Sequence, residues 1–315
     1  MQKPQIKTIA IVGAGAMGAA YAAMFSDAGS FSLFFLARGE RYQRLKNKPL
    51  GVNGKAYSIP VMQPEEVAKP VDLVLVALKH RHLDEALGDI KAIVGPETTI
   101  LSVMNGLESE KILGAACGMD KIVYAIAVGI DAVREGSNFS YARPGKIIFG
   151  EGPLKSPYDR VACLREALTR AAIPHEVPAD MMRIMWWKFM INVGINQASA
   201  TLRSPYGVFQ ASADARALMM LLMQEVVALA GKVAVDLSQK DLDEWFTVLA
   251  TLSPDGKTSM LQDIEAGRKT EVEIFAGKVV AMGKEHGVPT PVNQTIFHII
   301  KAMEERGNAA AHPKS

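Results

Sequence analysis

Residues 6–18 read Ile6-Lys7-Thr8-Ile9-Ala10-Ile11-Val12-Gly13-Ala14-Gly15-Ala16-Met17-Gly18, a β-branched apolar run ending in three spaced glycines. The run has the length of a buried strand and is too short for the apolar core of a signal sequence. The next residues, Ala19-Ala20-Tyr21-Ala22-Ala23-Met24-Phe25, read as a helix that Gly29 stops. Strand, glycine turn and helix in that order put a pyrophosphate on a helix N-terminus, where free N–H groups and the positive dipole end meet it. The glycines have separate tasks. Gly13 permits the tight turn, Gly15 lets the backbone approach the pyrophosphate, and Gly18 lets helix and strand pack closely. Ala14, Ala16 and Met17 fill out the expected cofactor loop. Glycine spacing alone is a weak signal, with a structural turn as its alternative; the flanking strand and helix give it weight.

Outward from this turn, Leu33 to Ala37, Leu73 to Leu78 and Thr99 to Val103 are further short apolar runs separated by helical stretches. That alternation indicates βαβ units and a mostly parallel sheet. Residues 120–149 add strands around a turn at Arg143-Pro144-Gly145. Composition shifts between Pro174 and Pro178, and from Asp180 onward the chain is helical in pattern, with breaks at 203–207 and 253–256. Gly287 ends one helix, and Thr290 as N-cap with Pro291 in the first helical position opens the next. The expected fold is an α/β Rossmann domain over 1–178 and an all-α domain over 179–307. A small, polar tail without fixed structure is expected over 308–315.

At 315 residues the chain exceeds what one core usually supports, in line with two domains. A net charge of +2 gives no ground for a nucleic-acid or anionic-membrane partner, yet suits a local anion pocket. Cys117 and Cys163 lie too far apart for a CxxC pair, which argues against a disulfide scaffold or a zinc site. Lys79-His80-Arg81-His82 lacks accompanying ligands and reads as a loop after a strand, with no metal expected. No stretch reaches membrane-spanning length, and a cytoplasmic protein is the expectation. A homodimer is left open.

Two further segments bear on chemistry. An NAD site places an acidic residue at the end of the second strand, for the ribose hydroxyls. This chain has Leu36-Ala37-Arg38 there, with Arg41 close behind. A guanidinium suits a 2′-phosphate through two parallel hydrogen bonds, so NADPH is the expected cofactor. A solvated loop charge is the alternative for Arg38. The second segment, Met181 to Ala198, is apolar on every side except for Lys188, Asn192 and Asn196, which one α-helix aligns along a stripe. An unpaired buried ammonium is costly, so Lys188 should face a polar cleft or an anion, where desolvation tunes it for proton transfer. A lysine that snorkels to solvent past Trp186 and Trp187 is the alternative.

In this order the motifs resemble the ketopantoate reductase (2-dehydropantoate 2-reductase) family over nearly the whole chain. The matching pieces are Gly13 to Gly18, Leu78-Lys79, Asn105-Gly106, Lys188-x3-Asn192-x3-Asn196, Ser259-Met260-Leu261-Gln262-Asp263 and Thr270-Glu271. The resemblance implies a Rossmann domain joined to a helical domain similar to that of 6-phosphogluconate dehydrogenase, with catalysis in the cleft between them. It makes Lys188 the general acid and Glu271 a group that binds substrate or the lysine. It makes Asn192, Asn196 and Ser259 substrate-binding, and it brings Lys79 and Asn105 to the nicotinamide ribose and the reacting centre. The implied reaction is NADPH-dependent reduction of ketopantoate in pantothenate and coenzyme A biosynthesis. The chain departs from the family pattern at Met104 and at Val128-Gly129-Ile130-Asp131-Ala132. A reductase of another branched or hydroxylated 2-oxo acid therefore stays open, as does a non-catalytic NADPH sensor. A sensor has no need of Lys188 and Glu271.

Overall fold

The computed structural model describes residues 5–46, 48–135, 138–152 and 158–311. The chain divides into two compact units, Met1–Met182 and Arg183–Ser315. The division falls four residues beyond the expected 178, because the helix that starts at Met181 begins against the sheet. The Met181 side chain lies where a Cβ on Gly150 would sit, 2.9 Å from its own Cβ.

Among the described residues the first unit contains twelve strands. They are β1 (Thr8–Val12), β2 (Ser32–Leu36), β3 (Leu50–Val52), β4 (Lys55–Tyr57), β5 (Val61–Met62), β6 (Leu73–Val76), β7 (Thr99–Ser102), β8 (Ile122–Ile130), β9 (Val133–Glu135), β10 (Asn138–Ser140), β11 (Pro144–Glu151) and β12 (His175–Glu176). Its helices are α1 (Ala16–Asp27), α2 (Gly39–Lys46), α3 (Leu83–Ala92), α4 (Ser109–Cys117) and α5 (Arg160–Arg170). The main sheet runs β12-β11-β8-β7-β6-β1-β2-β5, parallel throughout except where β11 meets β8. The chain order reverses between β1 and β6, both fully buried over most of their length, as strands covered on two faces must be. Ligands in such sheets bind beyond the carboxyl ends of the strands at this reversal. A second sheet, β4-β3-β10-β9, draws β9 and β10 from the strands expected over 120–149, whereas β3 and β4 lie outside every strand expected from the sequence. It packs Val52, Tyr57 and Phe139 onto Ala19 and Ala23 of α1.

The second unit is helical, as expected. Its helices are α6 (Met181–Ile191), α7 (Gln197–Leu202), α8 (Tyr206–Ala211), α9 (Ala213–Lys232), α10 (Gln239–Thr251), α11 (Ser259–Glu265), α12 (Ala276–His286) and α13 (Pro291–Ala311). Gly287 closes α12 in the left-handed conformation at φ 65°, and Pro291 opens α13, as the sequence indicates. The orphan N–H groups of Val292 and Asn293 are taken by the Glu225 carboxylate of α9 at 2.8 and 3.0 Å, a cap from across the bundle. Two expectations need correction. Residues 308–311 continue α13 instead of starting a tail, since Ala309, Ala310 and Ala311 favour helix; 312–315 lie outside the described residues. The helix expected over 181–198 is not one regular helix: a π-helical segment, Asn192–Asn196, joins α6 to α7.

Candidate active site

In the first unit the fold lines up the cofactor residues along the carboxyl edge of four neighbouring strands. Arg38 follows β2, Gly13 follows β1, Lys79 follows β6 and Asn105 follows β7. The glycine turn has the three environments its tasks require. Gly13 has φ 112°, and a Cβ there would stand 2.5 Å from the Ala77 carbonyl oxygen. A Cβ on Gly18 would overlap the Gly13 carbonyl. A Cβ on Gly15 would meet nothing within 4 Å, so space is open where a pyrophosphate approaches. No acidic residue occupies the first turn of α1, and Gly15 brings no capping side chain, so its N–H groups fit an anion. The residues present therefore fit a dinucleotide. Lys79 and Asn105 are half-buried, whereas Met104 points into the core at 5% exposure. Asp131, within the other departing segment, accepts hydrogen bonds from the Ala142 and Arg143 N–H groups and so ties together the two ends of the excursion between β8 and β11.

Arg38 is exposed but not free. Its Nε donates to Asp89 Oδ1 at 2.9 Å, and its Nη2 bonds Glu65. These two carboxylates, Glu65 first, hold the guanidinium even more firmly in its charged form. The sequence reading missed both, since neither adjoins Arg38 in the chain. Such exposed pairs are weak, so a phosphate dianion can replace them. The 79–82 run is not a loop: His80–His82 form a 3-10 turn after Lys79. His82 Nδ1 meets Arg41 Nη2 at 2.8 Å. Burial first, then the Arg41 and Arg81 charges, hold the His82 imidazole below its usual range, so it stays neutral and accepts from Arg41.

The second unit holds the remaining candidates. Lys188 lies half-buried on the last turn of α6, with Trp186 and Phe189 beside it in an edge-on pair at 6.0 Å. Asn192 and Asn196 open and close the π-segment, and Asn196 Nδ2 donates to Asn192 Oδ1 at 3.3 Å. The stripe drawn for an α-helix survives in altered form. A π-turn widens the helix by about one residue per turn and still brings i and i+4 to one side, and such turns concentrate at functional sites. Gly194 is required in this segment, because a Cβ there would overlap Met223 Cγ of α9.

Ser259 is the first residue of α11 and is exposed. Thr258 before it caps the helix through Leu261 N and donates to Ser199 Oγ of α7 at 3.2 Å, which fixes Ser259 relative to the helix that follows Asn196. Glu271, 8% exposed, precedes a 3-10 turn, Val272–Ile274. Glu304 Oε1 of α13 holds the preceding residue, accepting from Thr270 N at 2.7 Å and Thr270 Oγ1 at 2.6 Å. The Phe275 ring, just past that turn, sits 6.4 Å from Phe189, which ties the glutamate segment to the lysine helix. Sequence reasoning passed over Gln197, Glu225, Asn293 and Glu304, of which Gln197 and Glu225 are polar residues inside apolar helical runs. That is the same signal that singled out Lys188.

A doubly wound sheet with a glycine cradle at its reversal, and a helical unit carrying both a Lys-Asn-Asn stripe and a buried glutamate, define a nicotinamide-dinucleotide oxidoreductase. The family profile described as ketopantoate reductase PanE/ApbA matches residues 9–153, and its C-terminal counterpart matches residues 180–304. The chain belongs to the ketopantoate reductase family, and its cofactor is NADPH. It is 28% identical over 302 residues to the 2-dehydropantoate 2-reductase of Aquifex aeolicus, covering 93% of this chain and 96% of that one. The structure of 2-dehydropantoate 2-reductase from Geobacter metallireducens superposes with a TM-score of 0.83 at 27% identity, covering 94% of this chain and 99% of that one. D-mandelate dehydrogenase in a ternary structure with NADH and anilino(oxo)acetate shares the fold, with a TM-score of 0.85 at 22% identity over 96% of this chain and 99% of that one. Among the described residues no helix is long and apolar enough to cross a membrane.

Proposed function

We propose that this protein reduces 2-dehydropantoate (ketopantoate) to pantoate with NADPH, in the synthesis of pantothenate and coenzyme A. The observation that carries the reading is the Lys188–Asn192–Asn196 stripe on an irregular helix pinned to the Glu271 turn through Phe189 and Phe275. NADPH, when bound, supplies the hydride. Lys188 donates a proton to the oxygen of the carbonyl being reduced, and its charge offsets the negative charge that develops there. Glu271 binds the substrate or the lysine and sets the proton transfer. Asn192, Asn196 and Ser259 hold the hydroxyl and carboxylate of the acid, and Lys79 and Asn105 serve the nicotinamide ribose and the reacting centre. Arg38 exchanges Glu65 and Asp89 for the 2′-phosphate.

NADPH oxidation against a panel of 2-oxo acids tests the reading. Ketopantoate gives the highest kcat/KM if it holds. A higher value with an unbranched acid, or with one lacking the hydroxyl, overturns the substrate assignment and leaves a reductase of another 2-oxo acid.

A further inference from the structure

Gln197 is fully buried, with 0% exposure, and follows the last residue of the π-segment. In a regular α-helix the N–H of residue 197 would serve the carbonyl of residue 193. Here the Gln197 N–H reaches the Gly194 carbonyl, and its side chain serves Val193: Nε2 donates to Val193 O at 2.7 Å. The same amide nitrogen donates to Asn293 Oδ1 at 3.1 Å. Its oxygen accepts from Ala276 N at 2.9 Å, the first residue of α12, just after the 3-10 turn that Glu271 begins. Asn293 is itself fully buried, donating through Nδ2 to Glu225 Oε2 at 2.7 Å and to Leu222 O at 3.2 Å. Every one of these contacts lies within the helical unit.

We infer that Gln197 is a positioning residue: its side chain holds the π-turn open and locks it against the segment that carries Glu271. One amide fixes the direction in which Asn192 and Asn196 present their side chains and the placement of the glutamate turn. Buried amides of this kind are costly to leave unpaired, so the network specifies one geometry instead of a range. The inference rests on the reading of Asn192 and Asn196 as substrate ligands.

The test compares three variants of the full chain: Gln197→Met, which keeps the volume and removes the hydrogen bonds, Asn196→Ala, and Leu249→Ala. Leu249, 1% exposed on α10, is a purely packing site and controls for lost stability. Gln197→Met raises KM for the 2-oxo acid about tenfold, a displacement effect. Its Kd for NADPH stays unchanged, and Leu249→Ala, matched or worse in Tm, keeps its KM. If Gln197→Met is poorly folded, Gln197→Asn, one methylene too short to span Val193 and Ala276, gives the same rise. A raised KM in Asn196→Ala beside an unchanged KM in the Gln197 variant overturns the inference alone. Unchanged KM in both overturns the substrate role of the asparagines and the inference with it. A rise in Leu249→Ala equal to that in Gln197→Met reduces Gln197 to a stability residue and also overturns it.

Discussion

On the proposed reading the cofactor turn and the lysine helix serve one reaction, but they are made from different parts of the polypeptide. Around Gly13, Gly15 and Gly18 the working groups are backbone N–H donors, and the side chains matter by being absent. Around Lys188 the working groups are side chains on a helix whose backbone is irregular, held by amides and carboxylates from α9, α12 and α13. A site of the first kind is set by local conformation. A site of the second kind depends on partners nearly a hundred residues away in the chain. The two should therefore fail in different ways when altered.

The largest expected effect is in the helical unit. Lys188→Ala lowers kcat by about 100- to 10,000-fold, the usual range for losing a general acid, while NADPH affinity hardly changes. Lys188→Arg rescues little, because guanidinium keeps its proton at any accessible pH. Steady-state kinetics with a cofactor titration and a thermal melt check this. A folded Lys188→Ala that keeps most of its kcat would remove the lysine from the chemistry.

The glycine turn gives the sharpest contrast within one motif. Gly18→Ala forces a Cβ into the Gly13 carbonyl and lowers Tm together with NADPH binding. Gly15→Ala meets no protein atom, so Tm is kept while the Kd for NADPH rises about tenfold or more as the methyl excludes the pyrophosphate. Fluorescence titration and calorimetry separate the two. Equal loss of Tm in both variants would mean that Gly15 is structural.

Arg38 comes next. Arg38→Ala lowers kcat/KM for NADPH roughly ten- to a hundredfold more than for NADH, the worth of a charge-assisted pair to phosphate. Glu65→Gln combined with Asp89→Asn acts in the opposite sense and raises the preference for NADPH a few-fold, since the guanidinium is then uncommitted. Kinetics with both cofactors decide the point, and equal losses for the two in Arg38→Ala would end the 2′-phosphate role.

The same contrast explains what could be read from the chain alone. The glycine spacing, the strand ends and the buried polar stripe are local patterns, and the mostly parallel α/β sheet follows from them. The π-turn was not legible: Asn192-Val193-Gly194-Ile195-Asn196 are all weak helix formers, but weak propensity does not tell a π-turn from an α-helix, and only the Gln197 side chain, the close approach of Met223 and the Ala276 N–H distinguish it. Nor were the carboxylates on Arg38, since Asp89 is fifty-one residues distant in sequence. Helix α13 running through 308–311 shows the opposite error, where polarity suggested a tail and alanine propensity prevailed.

The smallest effect concerns the charges behind the Glu271 turn. Glu273 accepts from Lys301 at 2.9 Å and lies 3.2 Å from Lys269, and Lys301 also reaches Glu304, the residue that holds Thr270. Burial, the largest single influence, pushes the Glu273 carboxyl up. The Lys301 hydrogen bond, its own backbone N–H and Lys269 together outweigh it and leave the group below the usual range. A carboxyl whose pKa is lower folded than unfolded stabilises the fold fully above its unfolded value, and loses that contribution as pH falls through the folded value. Glu273→Gln should therefore lower Tm at pH 7 by about 1–2 °C, a figure kept small because the side chain is 39% exposed and the pairs are screened. The gap to wild type closes below about pH 4. Melts at pH 7 and at successively lower pH read this directly. A gap that persists undiminished in acid would show that Glu273 acts by packing, and that the support behind Glu271 is as insensitive to charge as the glycine turn.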